Sequence, residues 1–190
     1  KTIRRLRRKL NKPIAIMLDT KGPEIRTGNY NVKEIFLKPD DIFTLTTRDV
    51  MGTQDIVSVS HKGLPQDVKV GSEIYIDDGL VQLEVIEIKD GTDVVCRVQN
   101  NGVLSNHKGV NLPGSKTNLP SITPKDVDDI KFGIENGIDL IAASFVRKKE
   151  DVYDIRKVLE DHGGEDIKII SKIESQEGVD NIEEIIEASD

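Results

Sequence analysis

The chain has 190 residues, 36% of them hydrophobic, and a formal net charge of -7 at pH 7. These values allow one large domain or two small domains with buried cores; they argue against an intrinsically disordered chain, and the acidic balance argues against nucleic-acid binding. The longest apolar stretch, residues 138–146, falls far short of the ~20 residues that a membrane-spanning helix needs, so the sequence predicts a soluble protein without a membrane partner.

The cysteine and histidine content limits the metal-binding and redox classes. Cys96 is the single cysteine and the three histidines are scattered along the chain. Neither a disulfide framework nor a Cys/His zinc site can be assembled from them. We therefore expect a protein of the reducing cytoplasm.

The first segment of the chain is strongly basic. Residues 1–12 hold seven Lys or Arg and no acidic residue. A targeting or RNA-binding arm is one interpretation. The spacing of Ile3, Leu6 and Leu10 favours instead one stripe of a helix whose other faces are solvated, with cations near its C-terminal end. Because the first residue is Lys rather than Met, we expect a segment of a longer chain.

Strands and helices alternate in two parts of the chain. An apolar run over residues 13–19 predicts a buried strand after the first helix. The later elements, in chain order, are a helix opened by Thr123 and Pro124 and closed by Gly137, a strand over 138–145, a helix ending at Gly163 and Gly164, a strand over 167–174, and a last helix marked by Val179, Ile182, Ile185 and Ile186. This alternation predicts βαβ units, a parallel sheet and an α/β fold class.

The middle of the chain has a different hydrophobic period. Between Pro23 and Pro120 apolar and polar residues alternate one by one, with the period of two that strands have. Asp90-Gly91 and Asn101-Gly102 predict hairpin turns. We therefore expect an all-β domain inserted into the α/β domain. A long insertion directly after a strand is usually a lid or a binding element, although a decorative insertion is the alternative.

The predicted domain organisation follows from this change of period. Residues 1–23 and 119–190 form the α/β domain, and residues 24–118 form the inserted domain. We expect the insertion to move as a body about Pro23 and the segment 118–120.

Polar residues stand where three apolar runs stop, at 19–21, 144–147 and 172–174. Ligands of parallel α/β folds bind at the carboxyl ends of strands, so these groups share one rim if the strands are neighbours. Lys172 and Glu174 project the same way because successive side chains of a strand alternate between its faces. Taken singly, each signal is weak: such a pair is more often an exposed ion pair, and Asp19 more often caps a turn or a helix.

Together, the three groups have a definite chemical character. A carboxylate such as Glu174 can hold Mg²⁺, which takes its remaining oxygens from water and substrate. Lys172 beside it suits negative charge that develops on a phosphoryl group. Asp19 with the oxygens of Thr20 could bind a second cation. The hypothesis is phosphoryl transfer over metal ions.

Three features in or beside the insertion also suit phosphate. Lys21 and Arg26 flank a Gly-Pro pair, and Lys108 precedes a glycine whose backbone amide could meet an anion. Asp77 and Asp78 share a tight turn, where an Asx turn is the plainer explanation. The sequence has no Walker or GxGxxG loop, so any nucleotide must be held by the insertion and the rim.

Several long motifs resemble the pyruvate kinase family. They are, in order, IMLDTKGPEIRTG, YIDDGL, KGVNLPG, DLIAASFVRK and IKIISKIES, and the resemblance runs along essentially the whole chain. It implies a partial (β/α)₈ TIM-type barrel with an inserted all-β barrel domain, or lid, after the third barrel strand. It also implies a cytoplasmic enzyme of glycolysis, a homotetramer, that moves a phosphoryl group from phosphoenolpyruvate to ADP and yields pyruvate and ATP.

The same resemblance assigns roles to residues. Lys172 would be the catalytic lysine, Glu174 a ligand of Mg²⁺ or Mn²⁺, and Asp19 with the Thr20 carbonyl ligands of K⁺. Arg26 and Lys108 would contact the nucleotide phosphates, and Asp78 would approach the active site when the lid closes. A Glu at the position of Glu24 is similar to the K⁺-dependent members, which implies K⁺ dependence.

The chain also departs from the family pattern, and two alternatives stay open. Family segments that carry a substrate Arg, a second Mg²⁺ carboxylate and a catalytic Thr are absent, and three of the eight barrel strands are present. We therefore expect the isolated chain to be inactive and its barrel portion marginally stable. The alternatives are a non-catalytic β-domain module and a Mg²⁺-dependent enolate lyase or aldolase on a related barrel.

Overall fold

The structure is a computed structural model that describes residues 2–115 and 119–190. The chain forms two compact units, one of Lys1–Pro23 with Pro120–Asp190 and one of Glu24–Leu119. Asn118, at the predicted domain boundary and hinge, lies outside the described residues. None of the helices in the described ranges is long and apolar enough to cross a membrane.

The structure describes six helices and twelve strands within these ranges. In chain order they are α1 (Thr2–Leu10), β1 (Met17–Asp19), β2 (Ile25–Arg26), β3 (Ile35–Leu37), β4 (Ile42–Thr46), β5 (Ile56–Ser58), α2 (Leu64–Asp67), β6 (Glu73–Ile76), β7 (Val81–Lys89), β8 (Asp93–Val98), β9 (Gly102–Leu104), β10 (Gly109–Asn111), α3 (Pro124–Asn136), β11 (Leu140–Ala143), α4 (Lys149–Asp161), β12 (Lys168–Ser171), α5 (Gln176–Asp180) and α6 (Ile182–Ala188). The first unit contains β1, β11, β12 and every helix except α2.

The first unit is built on a parallel sheet in the order β1-β11-β12. Helices α3 and α4 connect its strands, which confirms the α/β fold class. Helix α3 begins where the sequence predicts, because Thr123 and Asp126 form a reciprocal capping box. It ends at Gly137, which has a left-handed backbone (φ 63°).

The strands of this sheet differ in burial. Strand β11 is central, and Ile141, Ala142 and Ala143 are buried. Strands β1 and β12 are edges, and they leave Met17 52% and Ile170 45% exposed. The prediction of a buried strand over residues 13–19 was therefore wrong in length and in burial, because an apolar run does not reveal which strand lies at the edge of a sheet.

The last predicted helix is divided in two. Helices α5 and α6 meet at Asn181, whose side-chain amide donates to the Arg147 carbonyl at 3.0 Å. Ile185 is buried, whereas Val179 and Ile186 are exposed. The sequence predicted one last helix, and that prediction was wrong because the chain forms two short helices here.

The second unit consists mainly of strands. Seven form a sheet in the order β2-β10-β6-β7-β8-β4-β5, and β3 pairs with β9. Their apolar side chains, among them Phe43, Leu45 and Ile74, form a core of their own. The one departure from an all-β unit within the described residues is the single helical turn α2.

The two predicted hairpin turns of this unit had different outcomes. Asp90-Gly91 joins β7 to β8, with positive φ at both residues, as predicted. Asn101-Gly102 was wrong, because β9 pairs with β3 rather than turning back on β8. Gly102 is needed there for a close approach instead: an added Cβ would lie 2.3 Å from a Val81 methyl group.

Candidate active site

The parallel register brings three strand ends to one edge of the first unit. Asp19 pairs with Ala142 and Ala143 with Ser171, so β1, β11 and β12 end at the same level. The residues at and just beyond these ends are Asp19, Thr20, Ser144, Phe145, Lys172 and Glu174. The structure therefore brings together the predicted site residues of this unit.

Lys172 lies between two carboxylates. Its Nζ is 2.9 Å from Oδ1 of Asp19 and 3.9 Å from Oε1 of Glu174. The side chains of Asp19 and Glu174 are 63% and 37% exposed, so these ion pairs add little to the free energy of folding. What the arrangement provides is a positive charge held beside two negative ones in an accessible place.

Glu174 is held by the backbone just after β11. The Phe145 amide donates to Oε2 of Glu174 at 2.8 Å, and the other oxygen, Oε1, faces the ammonium group of Lys172. The Lys172 amide in turn donates to the Ala143 carbonyl at 2.8 Å, which continues the sheet to the site. The carboxylate is thus oriented by groups that directly follow two neighbouring strands.

Asp19, Thr20 and Ser144 bring a second group of oxygen atoms together. The Ser144 hydroxyl donates to the Thr20 carbonyl and lies 3.3 Å from Oδ1 of Asp19. The Thr20 hydroxyl accepts from the Ser144 amide at 3.2 Å, and both residues are buried. Gly22 packs closely here: its φ is 68°, and an added Cβ would lie 2.7 Å from the Ser144 carbonyl oxygen.

The donor atoms of this edge suit hard cations. Carboxylate oxygens and a backbone carbonyl are the ligands that Mg²⁺ and similar ions take, and Mg²⁺ needs only one or two carboxylates when substrate oxygens and water complete its shell. Among residues 2–115 and 119–190 no cluster of three or more His, Cys, Asp or Glu side chains could hold a metal by itself. With one or two carboxylates and a carbonyl oxygen, the site suits an ion that takes its other ligands from elsewhere.

Two contributions to this edge could not be found in the sequence. The Ser144 hydroxyl and the Phe145 amide each orient a predicted ligand, yet neither residue had a role assigned from the motif.

Arg147, at the end of the same run, is buried and forms an ion pair with the buried carboxylate of Asp151, with Nε 3.1 Å from Oδ2. That pair fixes the loop after β11.

The second unit carries its own polar cluster. Arg26 on β2 lies opposite Gly109 on β10. Lys108 is the residue directly before Gly109 in the chain. The Arg26 guanidinium donates to Glu24 at 2.6 Å and to the His107 carbonyl at 2.7 Å. The hydrogen bond to Glu24 raises the pKa of Arg26, with a further contribution from the Asp78 charge, so Arg26 stays cationic.

Lys108 is paired with the turn after β6. Its Nζ lies 2.8 Å from Oδ2 of Asp77, and the Asp77 amide donates to the Gly109 carbonyl at 2.9 Å. Asp77 and Asp78 both have φ of 55°, as the predicted tight turn requires. The structure thus brings Arg26, Lys108 and this turn together on neighbouring strands.

Comparison with known proteins gives one consistent family. The family model described as "Pyruvate kinase, barrel domain" matches residues 1–190. Pyruvate kinase from Clostridium acetobutylicum is 52% identical over 189 residues, which is 99% of this chain and 40% of that protein. Pyruvate kinases from Bacillus licheniformis and Staphylococcus epidermidis are each 54% identical over 100% of this chain, and over 33% and 32% of their own lengths. The chain thus spans a third to two fifths of these relatives.

Proposed function

The chain belongs to the pyruvate kinase family, and we propose that in the intact protein it carries part of the site that transfers a phosphoryl group from phosphoenolpyruvate to ADP. The observation that carries this proposal is the position of Lys172, 2.9 Å from Asp19 and 3.9 Å from Glu174 at the carboxyl ends of parallel strands. The products are pyruvate and ATP.

Lys172 is the proposed catalytic residue. In the reaction the bond between phosphorus and the enol oxygen breaks, a bond to the terminal ADP oxygen forms, and the enolate takes up a proton to give pyruvate. An ammonium group already held in place by two carboxylates stabilises the charge on the moving phosphoryl group and on the enolate. It does so without reorganising during the reaction, which is why a rim lysine can contribute more to rate than to stability.

The proposed metal ligands are Glu174 for Mg²⁺ or Mn²⁺, and Asp19 with the Thr20 carbonyl for K⁺. When bound, the divalent ion neutralises phosphate charge and holds substrate oxygens in line for transfer. Glu174 meets this role with a carboxylate whose Oε2 is already held by a backbone amide. The buried Ser144 hydroxyl holds the Thr20 carbonyl in position.

The second unit supplies the proposed nucleotide contacts. Arg26 and Lys108 carry positive charge on adjacent strands and suit the phosphates of ADP and ATP. Asp78, whose charge acts on Arg26, is the third proposed residue of this group. Two carboxylates of the same unit, those of Glu24 and Asp77, balance both cations.

The finer architecture is part of the proposal. We propose that the parallel sheet belongs to a (β/α)₈ barrel, that the second unit is its inserted lid, and that the enzyme is a cytoplasmic homotetramer. Because the chain spans 32% to 40% of the relatives it matches, we also propose that these 190 residues are inactive alone. No observation favours an enolate lyase or a non-catalytic β module.

A coupled assay on the intact protein tests the function. With phosphoenolpyruvate, ADP, Mg²⁺ and K⁺ we expect equal amounts of pyruvate and ATP, loss of both without the divalent ion, and slower formation without K⁺. Release of pyruvate and inorganic phosphate without ATP would indicate a hydrolase instead. No phosphoryl transfer under any of these conditions would overturn the proposal.

A further inference from the structure

Phe145 has an unusual backbone conformation for its residue type. Seven described residues other than glycine have positive φ, and six of them are Asn, Asp or His, which adopt the left-handed region more readily than other residues. Phe145, with φ of 56°, is the exception among the residues that the structure describes. Such conformations persist where the surrounding structure enforces them, and they are concentrated at functional sites.

The surroundings of Phe145 enforce the conformation from both sides. Before it, Ser144 is buried and hydrogen-bonded to Thr20 through both its amide and its hydroxyl. After it, Val146 is buried, its amide donates to the Lys172 carbonyl at 3.2 Å, and its own carbonyl lies 2.6 Å from the position that a Cβ on Gly178 would take. Both neighbours are therefore held by burial and by hydrogen bonds.

The consequence of this conformation is the direction of one N–H group. The amides of Lys172 and Val146 continue the ladder between β11 and β12, whereas the Phe145 amide is turned out of it and donates to Oε2 of Glu174 at 2.8 Å. A hydrogen bond from an amide to a carboxylate is stronger than one between neutral groups, and it fixes the rotation of the carboxylate. The Oε1 atom is then presented in one direction.

We propose that Phe145 is a positioning residue whose strained backbone aims its amide at Glu174, so that the carboxylate binds a divalent cation through Oε1. This inference rests on the proposed metal role of Glu174. Groups that orient a metal ligand set the affinity of the site as well as its geometry. The residue type matters here through the backbone angle it can adopt rather than through the aromatic ring.

Two substitutions of similar size separate the backbone from the ring. Phe145→Asn and Phe145→Val both remove the ring, but Asn tolerates the left-handed region and the β-branched Val does not. We expect Mn²⁺ binding to the intact protein, measured by electron paramagnetic resonance, to stay within about twofold for Phe145→Asn and to weaken about tenfold for Phe145→Val. Excess Mg²⁺ should restore much of the turnover lost in Phe145→Val, because mass action refills the weakened site.

A second pair serves if Phe145→Val does not fold. Phe145→Gly relieves the strain and Phe145→Ala retains it, so we expect Phe145→Ala to bind Mn²⁺ more weakly than Phe145→Gly. The control is Asp90→Val, which places the same strain in the turn between β7 and β8. It should lower the unfolding temperature and leave Mn²⁺ affinity unchanged.

The outcomes distinguish this inference from the proposed function. Equal Mn²⁺ affinity in the tolerant and intolerant variants, with Glu174→Gln still weakening binding, would overturn the role of Phe145 alone. Unchanged Mn²⁺ affinity in Glu174→Gln would overturn both the inference and the proposed metal ligand. A loss of affinity in Asp90→Val would show that general destabilisation is sufficient, and would also overturn the inference.

Discussion

The two units of the chain use their apolar residues differently. In the unit Glu24–Leu119, side chains such as Phe43, Leu45 and Ile74 are fully buried in a core supplied by its own strands. In the other unit the central strand β11 is buried, but the edge strands expose Met17 and Ile170. Each unit thus has a core of its own; strands supply most of the core of the strand unit, whereas helices α3, α4 and α6 supply much of the core of the parallel unit.

Each unit also gathers charged residues in one place. In the parallel sheet, Asp19, Lys172 and Glu174 gather at one edge in partly exposed ion pairs. Such pairs contribute little to stability, whereas burial of large apolar side chains contributes most of it. Stability therefore lies mainly in the packed cores, whereas the ends of the parallel strands hold the charged residues of the candidate site. The following substitutions test that separation.

The largest expected effect is on the core of the strand unit. Phe43→Ala removes a ring that is 0% exposed, and we expect a loss of about 3–5 kcal/mol in unfolding free energy. Hydrogen exchange should show faster exchange in β4 and β8 and unchanged protection in β11. Phe36→Ala is the matched control, because that ring is 63% exposed and its loss should change stability by less than about 0.5 kcal/mol. Equal effects of the two variants would contradict the assignment of the core.

The second largest effect is expected on turnover, without a change in stability. Lys172→Met should lower turnover by about 10²–10³-fold or more, because the ammonium group acts on charge that develops in the transition state. Hydrogen exchange should remain as in the unsubstituted protein. Lys168→Met is the control, since Lys168 lies at the start of β12, the strand that ends directly before Lys172, and forms an ion pair with Asp190. Normal turnover in Lys172→Met would contradict the catalytic role proposed for Lys172.

A smaller effect is expected at the start of α3. Thr123→Ala removes the hydroxyl that accepts from the Asp126 amide, and should cost about 1 kcal/mol of stability. Thr123→Ser keeps the capping hydroxyl and should be close to neutral. Denaturant unfolding of both variants checks this. A Ser variant as unstable as the Ala variant would mean that the methyl group, and not the cap, is responsible.

The smallest effect is a pH dependence in the parallel unit. The hydrogen bond from the Ile169 amide, followed by that from Arg156, lowers the pKa of Asp190 from 3.8 to about 2. The charged carboxylate therefore stabilises the fold above about pH 4, and this contribution is lost as the pH falls from about 4 to 2. Because the carboxylate is partly exposed, we expect less than about 1 kcal/mol.

Asp190→Asn isolates this contribution. Its unfolding free energy should lie below that of the unsubstituted protein at pH 7, and the two values should converge near pH 2. A difference that persists unchanged at pH 2 would show that the effect is not one of charge.

Local sequence signals predicted much of the fold. The start of α3 is marked by the capping residues Thr123 and Asp126, and its end by Gly137. One hairpin turn is marked in the same local way by Asp90-Gly91. Signals that depend on distant partners were not predictable. Asn101-Gly102 has the composition of a turn, but Gly102 serves a close approach to Val81.

The candidate site shows the same division. Asp19, Lys172 and Glu174 could be placed together from the sequence, because the carboxyl ends of neighbouring parallel strands meet at one edge. The roles of the Ser144 hydroxyl and the Phe145 amide could not be predicted. No sequence pattern indicates that a phenylalanine adopts a left-handed backbone conformation. Their roles depend on atoms that meet only in the folded chain.

The most direct test of the central claim is a crystal structure of the intact protein with Mn²⁺ and phosphoenolpyruvate, without ADP. The anomalous signal locates the metal independently of any assay. We predict a Mn²⁺ peak within coordination distance of the Glu174 carboxylate, about 2.0–2.3 Å, with Lys172 Nζ in hydrogen-bond contact with the phosphoryl oxygens. Metal and substrate bound together at another place on the protein, with Lys172 and Glu174 untouched, would contradict the account.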